Sequence, residues 1–277
     1  MFYKKFIFFV IILFSASTTF SNETIFNGKF VQGGIVIGQN KLAKKVFFNK
    51  KIIQISKDGY FMFGFGRDYK SSSTLKIIKD SKDDILKYNF NIEKSIYKIE
   101  KISGLPNKMV TPGPEFYKKI NEDRTLIKNS MNEKYVVDKF PLNIIKHTEG
   151  RLSGIYGSKR ILNGVKKNPH GGLDIADPEG TPIKTMSDGE VLLAAKGLYY
   201  TGNIVIIDHG YDLQSMYIHM KDINIKKGDL VKQGQIIGTV GSTGRSTGPH
   251  LHWNVYWNKV RVNPEILLAI SKWKFFS

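Results

Sequence analysis

The 277-residue sequence contains no cysteine, which excludes disulfides and any thioether-linked lipid anchor. Acidic residues are scarce beside basic ones, 24 against 42, and the formal net charge is +18. So basic a protein is drawn to polyanions. The lysines, however, are scattered rather than gathered into a run. Neither a basic helix nor a stacking platform is visible, so a nucleic-acid partner is not expected. Beyond residue 21 no segment is apolar enough to span a bilayer, which takes roughly 20 apolar residues.

The chain opens with Lys4 and Lys5, the apolar run Phe6 to Phe14, then small residues (Ser15, Ala16, Ser17, Ser21). That order predicts a secretory signal peptide over residues 1–21, too short in its apolar part to anchor the protein. Its removal leaves a charge of about +16, which suits anionic cell-wall polymers or lipid headgroups. The mature protein is expected to be exported and free of stable membrane insertion, with the periplasm favoured over the medium.

Three stretches follow. Residues 22–108 carry short strand-like runs, among them Gly34 to Gly38, Val46 to Phe48, Ile52 to Ile55 and Tyr60 to Gly64. They predict a small all-β domain, with Lys57-Asp58-Gly59 as a hairpin turn. Residues 109–148 open with Pro112 and Pro114 and predict a linker with an amphipathic helix from Glu115 to about Ser130. From residue 149 the chain becomes glycine-punctuated β structure, and five of the six histidines lie there. The fold class expected is therefore mainly β.

Chemistry concentrates in three pieces: His170-Gly171-Gly172-Leu173-Asp174, then His219 after Tyr217-Ile218, then His250-Leu251-His252. In the last, Leu251, Trp253 and Val255 alternate with His250, His252 and Asn254. Both imidazoles therefore share one strand face, about 7 Å apart. One can bind a metal while the other stays free for proton transfer. The same alternation predicts that His219 faces away from the core, with Tyr217. Two glycines between His170 and Asp174 argue against a helix and allow the backbone to bend both side chains to one point. Two histidines and a carboxylate bind zinc and leave a fourth position for water, the mark of a catalytic rather than structural site. His209, in Ile207-Asp208-His209-Gly210, has the setting of a structural residue after a strand. His147 has no assigned role.

Over residues 150 to 268 the sequence resembles the lysostaphin-type (LytM-like) zinc peptidases. The resemblance extends past the histidines to Ile161-Leu162-Asn163-Gly164, Gly180-Thr181-Pro182, Asp188-Gly189-Glu190-Val191, Gly234-Gln235-Ile236-Ile237-Gly238, Val240 to Gly244 and Val262-Asn263-Pro264. It implies a peptidase domain at 149–277, antiparallel β with a groove. One Zn2+ would be held by His170, Asp174 and His252, with His219 and His250 as unliganded catalytic groups. The substrate implied is the peptide part of peptidoglycan, cut as an endopeptidase. Zinc lowers the pKa of a bound water to roughly 7, one of the two histidines takes its proton, and the other helps stabilise the oxyanion. A non-catalytic or latent LytM-like regulator is the alternative, and a fourth protein ligand such as Asn163 would close the site. Residues 22–108 are expected to inhibit, to bind substrate or to dock a regulatory partner.

Overall fold

The structure is a computed structural model and describes residues 23–80, 84–135 and 139–270. The signal peptide expected at 1–21 lies outside the described residues. No helix among the described residues is long and apolar enough to cross a membrane.

Period-two patterning builds the first sheets. In Ser72–Ile78 the residues Ser73, Leu75 and Ile77 are buried while Ser72 and Thr74 are exposed, as in a strand with one face on a core. This strand pairs antiparallel with Lys45–Phe48 and Ile85–Asn91, and Lys51–Ile53 completes a four-stranded sheet. A three-stranded sheet of Ile25–Gly28, Ile35–Gln39 and Tyr60–Gly64 accompanies it. Phenylalanines fill the core of this region: Phe30 to Phe90, Phe48 to Phe63 and Phe63 to Phe90 lie 4.6, 4.9 and 5.8 Å apart. Such ring pairs add about 0.5–1.5 kcal/mol each beyond their buried area.

The turn at Lys57-Asp58-Gly59 forms, with Gly59 at φ 77 and its N–H donating to Ser56 O. It does not close a hairpin. Lys51–Ile53 and Tyr60–Gly64 belong to different sheets, so the turn carries the chain between them. The tight hairpin lies one strand earlier, where Asn49 and Lys50 both take positive φ and join Lys45–Phe48 to Lys51–Ile53.

Within residues 109–148 the helix is Tyr117–Ser130, preceded by a 3-10 turn at Pro114–Phe116. Its Asp123 is buried and accepts from the Tyr199 N–H at 2.7 Å, while Ile127 packs on the cluster around Leu192 and Ile206. The helix thereby covers the outer face of the main sheet.

That sheet holds, in order, Leu230–Val231, Gly189–Leu198, Gly202–Asp208, Leu213–Met220, His250–Trp257, Leu173–Ala176 and Arg151–Gly154, with Val260–Val262 on one side of His250–Trp257. All its pairings are antiparallel. Among the described strands a parallel pairing occurs elsewhere, where Ile99–Ile102 runs alongside Lys159–Leu162. One hydrophobic cluster runs from Phe48 and Phe63 to Leu173, Trp253 and Trp257, with Phe48 edge-on to Trp257 at 5.6 Å. The Asn263 N–H also donates to Gly33 O at 2.7 Å.

Candidate metal centre

Strand register assembles the centre. His250–Trp257 turns Leu251, Trp253 and Val255, all fully buried, into the core. Leu173–Ala176 pairs with it so that Asp174 lies directly opposite His252 and Ala176 opposite His250. Directly opposed residues share a sheet face, so carboxylate and imidazole meet. His170 comes in from the segment just ahead of the strand. Its Nε2 lies 3.0 Å from Asp174 Oδ1 and 2.9 Å from His252 Nδ1, and the latter two atoms are 2.6 Å apart. All three side chains are buried, and their donor atoms lie within 4.8 Å of one another. Two neutral imidazole nitrogens and a carboxylate oxygen converging on one point form a donor set that fits a zinc-type ion.

The two glycines serve a different purpose from the bend expected of them. Neither takes a positive φ; instead a Cβ on Gly172 would sit 2.1 Å from the Trp253 carbonyl oxygen. Any side chain there would prise the Asp174 strand away from the His252 strand. Close approach, rather than flexibility, is what glycine supplies here.

Each remaining imidazole is oriented by a carbonyl. His170 Nδ1–H donates to Ile155 O at 2.8 Å, His219 Nδ1–H to Thr243 O at 2.7 Å and His250 Nδ1–H to Gly248 O at 2.8 Å. These bonds fix the tautomer and leave Nε2 of His219 and His250 as acceptors. The two rings lie 4.8 Å apart, and His250 Nε2 is 3.8 Å from Asp174 Oδ1. Burial holds His252 down at about 4 and His219 well below the usual imidazole value. Burial pushes the Asp174 carboxyl up, but the neighbouring His252 and His170 outweigh it and hold it well below the usual range. His252 is therefore neutral and Asp174 ionised, the protonation states in which these two groups bind a metal.

His219 reaches the centre by a route other than simple alternation. Ile218 is the residue opposite His252, and Tyr217 opposes Trp253 on the core face. Continued alternation would put His219 on the core face with Tyr217. At His219 the backbone adopts φ 65, and the pairing with Gly202–Asp208 shifts register between Asn203 and Val205. This bulge turns His219 to the face of His252 and places Met220 in the core instead.

The other histidines are structural. His209 is buried and satisfied, at 2.7 Å from both Asp188 O and Ser215 Oγ. His147 lies against Trp253 and Tyr217, with Nδ1 on Lys184 O. Asn163 is no fourth ligand: its amide donates to Leu105 O and accepts from Leu105 N–H. A cleft of about 460 Å³ beside the centre is lined by Glu100, Lys101, Arg160, Asp174, Pro249 and His250. Sequence reasoning missed Arg160 and Glu100. Arg160 stands just ahead of Ile161-Leu162-Asn163-Gly164 with no distinctive spacing to the histidines, and Glu100 is 74 residues from Asp174 in a stretch with no site chemistry.

Residues 168–264 match the family model described as Peptidase family M23. The chain carries an M23 peptidase domain. It is 29% identical over 227 residues to the peptidoglycan DD-endopeptidase ShyA of Vibrio cholerae, an alignment covering 81% of this chain and 49% of that one. A DD-carboxypeptidase/endopeptidase, Mpg, of Neisseria meningitidis is 44% identical over 96 residues, 34% of this chain and 22% of the relative. The chain thus spans half or less of the length of these curated relatives. A crystallised Pseudomonas aeruginosa protein assigned to peptidase M23 superposes with a TM-score of 0.65 at 27% identity, covering 87% of this chain and 95% of that one. The likeness to that protein extends well beyond the M23 domain, into the preceding β sheets.

Proposed function

We propose that this protein is an exported, zinc-dependent endopeptidase that hydrolyses peptide bonds in the stem cross-links of peptidoglycan, acting in the periplasm. The observation that carries the reading is the convergence of His170 Nε2, Asp174 Oδ1 and His252 Nδ1 beside two further imidazoles that the chain keeps free of that cluster. The metal would be held by those three atoms, and it supplies Lewis acidity and a water with pKa near 7. His219 and His250 each commit Nδ1–H to a carbonyl, which leaves Nε2 as the nitrogen available to substrate, and His250 lines the cleft. One of the two accepts the proton of the attacking water and returns it to the leaving amine. The substrate class is supported by the names of the relatives, DD-endopeptidases of the cell wall. A positively charged protein also suits the carboxylate-rich peptides of that polymer.

The test is mass spectrometry of soluble fragments released from purified peptidoglycan by the zinc-loaded protein. Cut cross-links that disappear with a chelator would bear out the proposal and name the bond. Intact peptidoglycan after incubation with fully zinc-loaded protein would overturn it.

A further inference from the structure

The side chain that ties the metal-binding residues together is far from them in sequence. Asp174 offers only Oδ1 to the cluster, because its Oδ2 accepts from Arg160 Nη2 at 2.5 Å. The Nε–H of the same guanidinium donates to Glu100 Oε2 at 3.4 Å. The other oxygen of Glu100 accepts from the Ile155 N–H at 3.4 Å. Ile155 is the residue whose carbonyl receives Nδ1–H of His170. Two of the three metal-binding residues are thus held by outer hydrogen bonds, Asp174 through Arg160 and His170 through Ile155, and both supports end on one carboxylate. Glu100 sits on Ile99–Ile102, the strand paired in parallel with Lys159–Leu162, which carries Arg160. Neither Glu100 nor Arg160 falls within the segment matched by the family model.

Surrounding contacts hold this frame in place. Arg67 stacks on Tyr97 at 4.2 Å and donates to Gly157 O at 2.7 Å. Gly157 N–H donates to His170 O, and the His170 N–H to Ser158 O. A Cβ on Gly157, which has φ 82, would meet the Tyr97 ring at 2.1 Å. The turn behind His170 is therefore clamped by residues of the first β region. All three charged side chains of the relay are largely buried: Arg160 is 19%, Glu100 24% and Asp174 11% exposed. A guanidinium can bridge two carboxylates because its donors form a rigid planar fork, which a lysine ammonium lacks.

We infer that Glu100 and Arg160 are positioning residues for the metal centre, through which the region preceding the M23 domain sets the affinity of that centre for zinc. The inference rests on the zinc reading above. Arg160 leaves Asp174 one free oxygen and fixes its direction, and Glu100 fixes Arg160 and the acceptor of His170 together. Outer partners of metal ligands typically change metal affinity 10–100-fold when removed.

The experiment is zinc titration of the full chain against a competing chromophoric chelator, with melting of the zinc-free proteins measured in parallel. Expected are a 10–100-fold weaker zinc affinity in Arg160→Ala, a partial recovery in Arg160→Lys, and a loss in Glu100→Gln that leaves the zinc-free melting midpoint near wild type. Zinc affinity within twofold of wild type in both Arg160→Ala and Glu100→Gln would overturn the inference. So would a loss that only tracks a lowered zinc-free midpoint, since that reports general destabilisation. A wild-type chain that binds no zinc is a different result: it overturns the metal reading itself.

Discussion

The first β region and the M23 domain bury different things. Residues 25–91 fill their interior with phenylalanine rings, with Ser72–Ile78 burying alternate positions and Ile35–Gln39 and Tyr60–Gly64 covered on both faces. The M23 domain runs strands with both faces covered, Leu213–Met220 being buried at every position. It also carries its polar groups inside: His209, Ser215, His219, His252 and Asn254 are all buried. Aromatic burial gives stability with little directional demand. A buried imidazole demands an acceptor for the nitrogen that carries its proton, and that demand orients the rings of a metal centre. One region supplies support and the other spends polar burial on chemistry, with Phe48 against Trp257 joining them.

The sharpest way to break the comparison is within the centre itself. His252→Ala should abolish stoichiometric zinc binding and hydrolysis, whereas His250→Ala should keep zinc and lose about 10²–10³-fold in turnover. Metal analysis beside a peptidoglycan assay checks both, and equal zinc loss in the two variants would remove the distinction between ligand and proton-transfer histidine. The complementary change is Phe63→Ala in the first region. It should cost about 3–5 kcal/mol in urea unfolding while zinc affinity at low denaturant stays within a few-fold of wild type. A variant that folds and yet loses zinc would show that the aromatic core sets the metal geometry directly.

Acid should find the buried structural histidines first. Burial lowers His147 to about 3 and His209 to about 4, whereas in the unfolded chain both titrate near 6.5. As the pH falls below about 6.5 the unfolded state takes up protons that the folded state refuses, so stability is full above that pH and declines towards about pH 4. The melting midpoint of the zinc-free protein should drop between pH 7 and 4.5, and less so in His209→Asn, which cannot charge. Equal drops in the two proteins would place the acid sensitivity elsewhere. The smallest effect is expected at Ile96, fully exposed between the two regions. Ile96→Ser should change unfolding free energy by no more than about 0.5 kcal/mol, and a larger change would show that this residue is covered in solution.

Much of this was legible in the residues. Alternation in Leu251, Trp253 and Val255 against His250 and His252 fixed a strand with two imidazoles on one face, and the spacing around Gly171-Gly172 marked the segment that brings His170 and Asp174 to them. Local periodicity carries such information because side-chain direction along a strand follows from backbone geometry alone. The same rule failed at Tyr217, which faces the core while a bulge turns His219 away from it, and at Lys57-Asp58-Gly59, where a turn joins two sheets instead of two neighbours. Sheet membership is a matter of long-range pairing, which no short window contains. The relay from Glu100 through Arg160 to Asp174 belongs to that second kind. Sequence by itself determined which residues could bind a metal and which strand face they occupy. Only the tertiary structure decided what stands behind them, because Glu100 meets Arg160 through the parallel pairing of two strands some sixty residues apart, and that pairing depends on how the whole core closes.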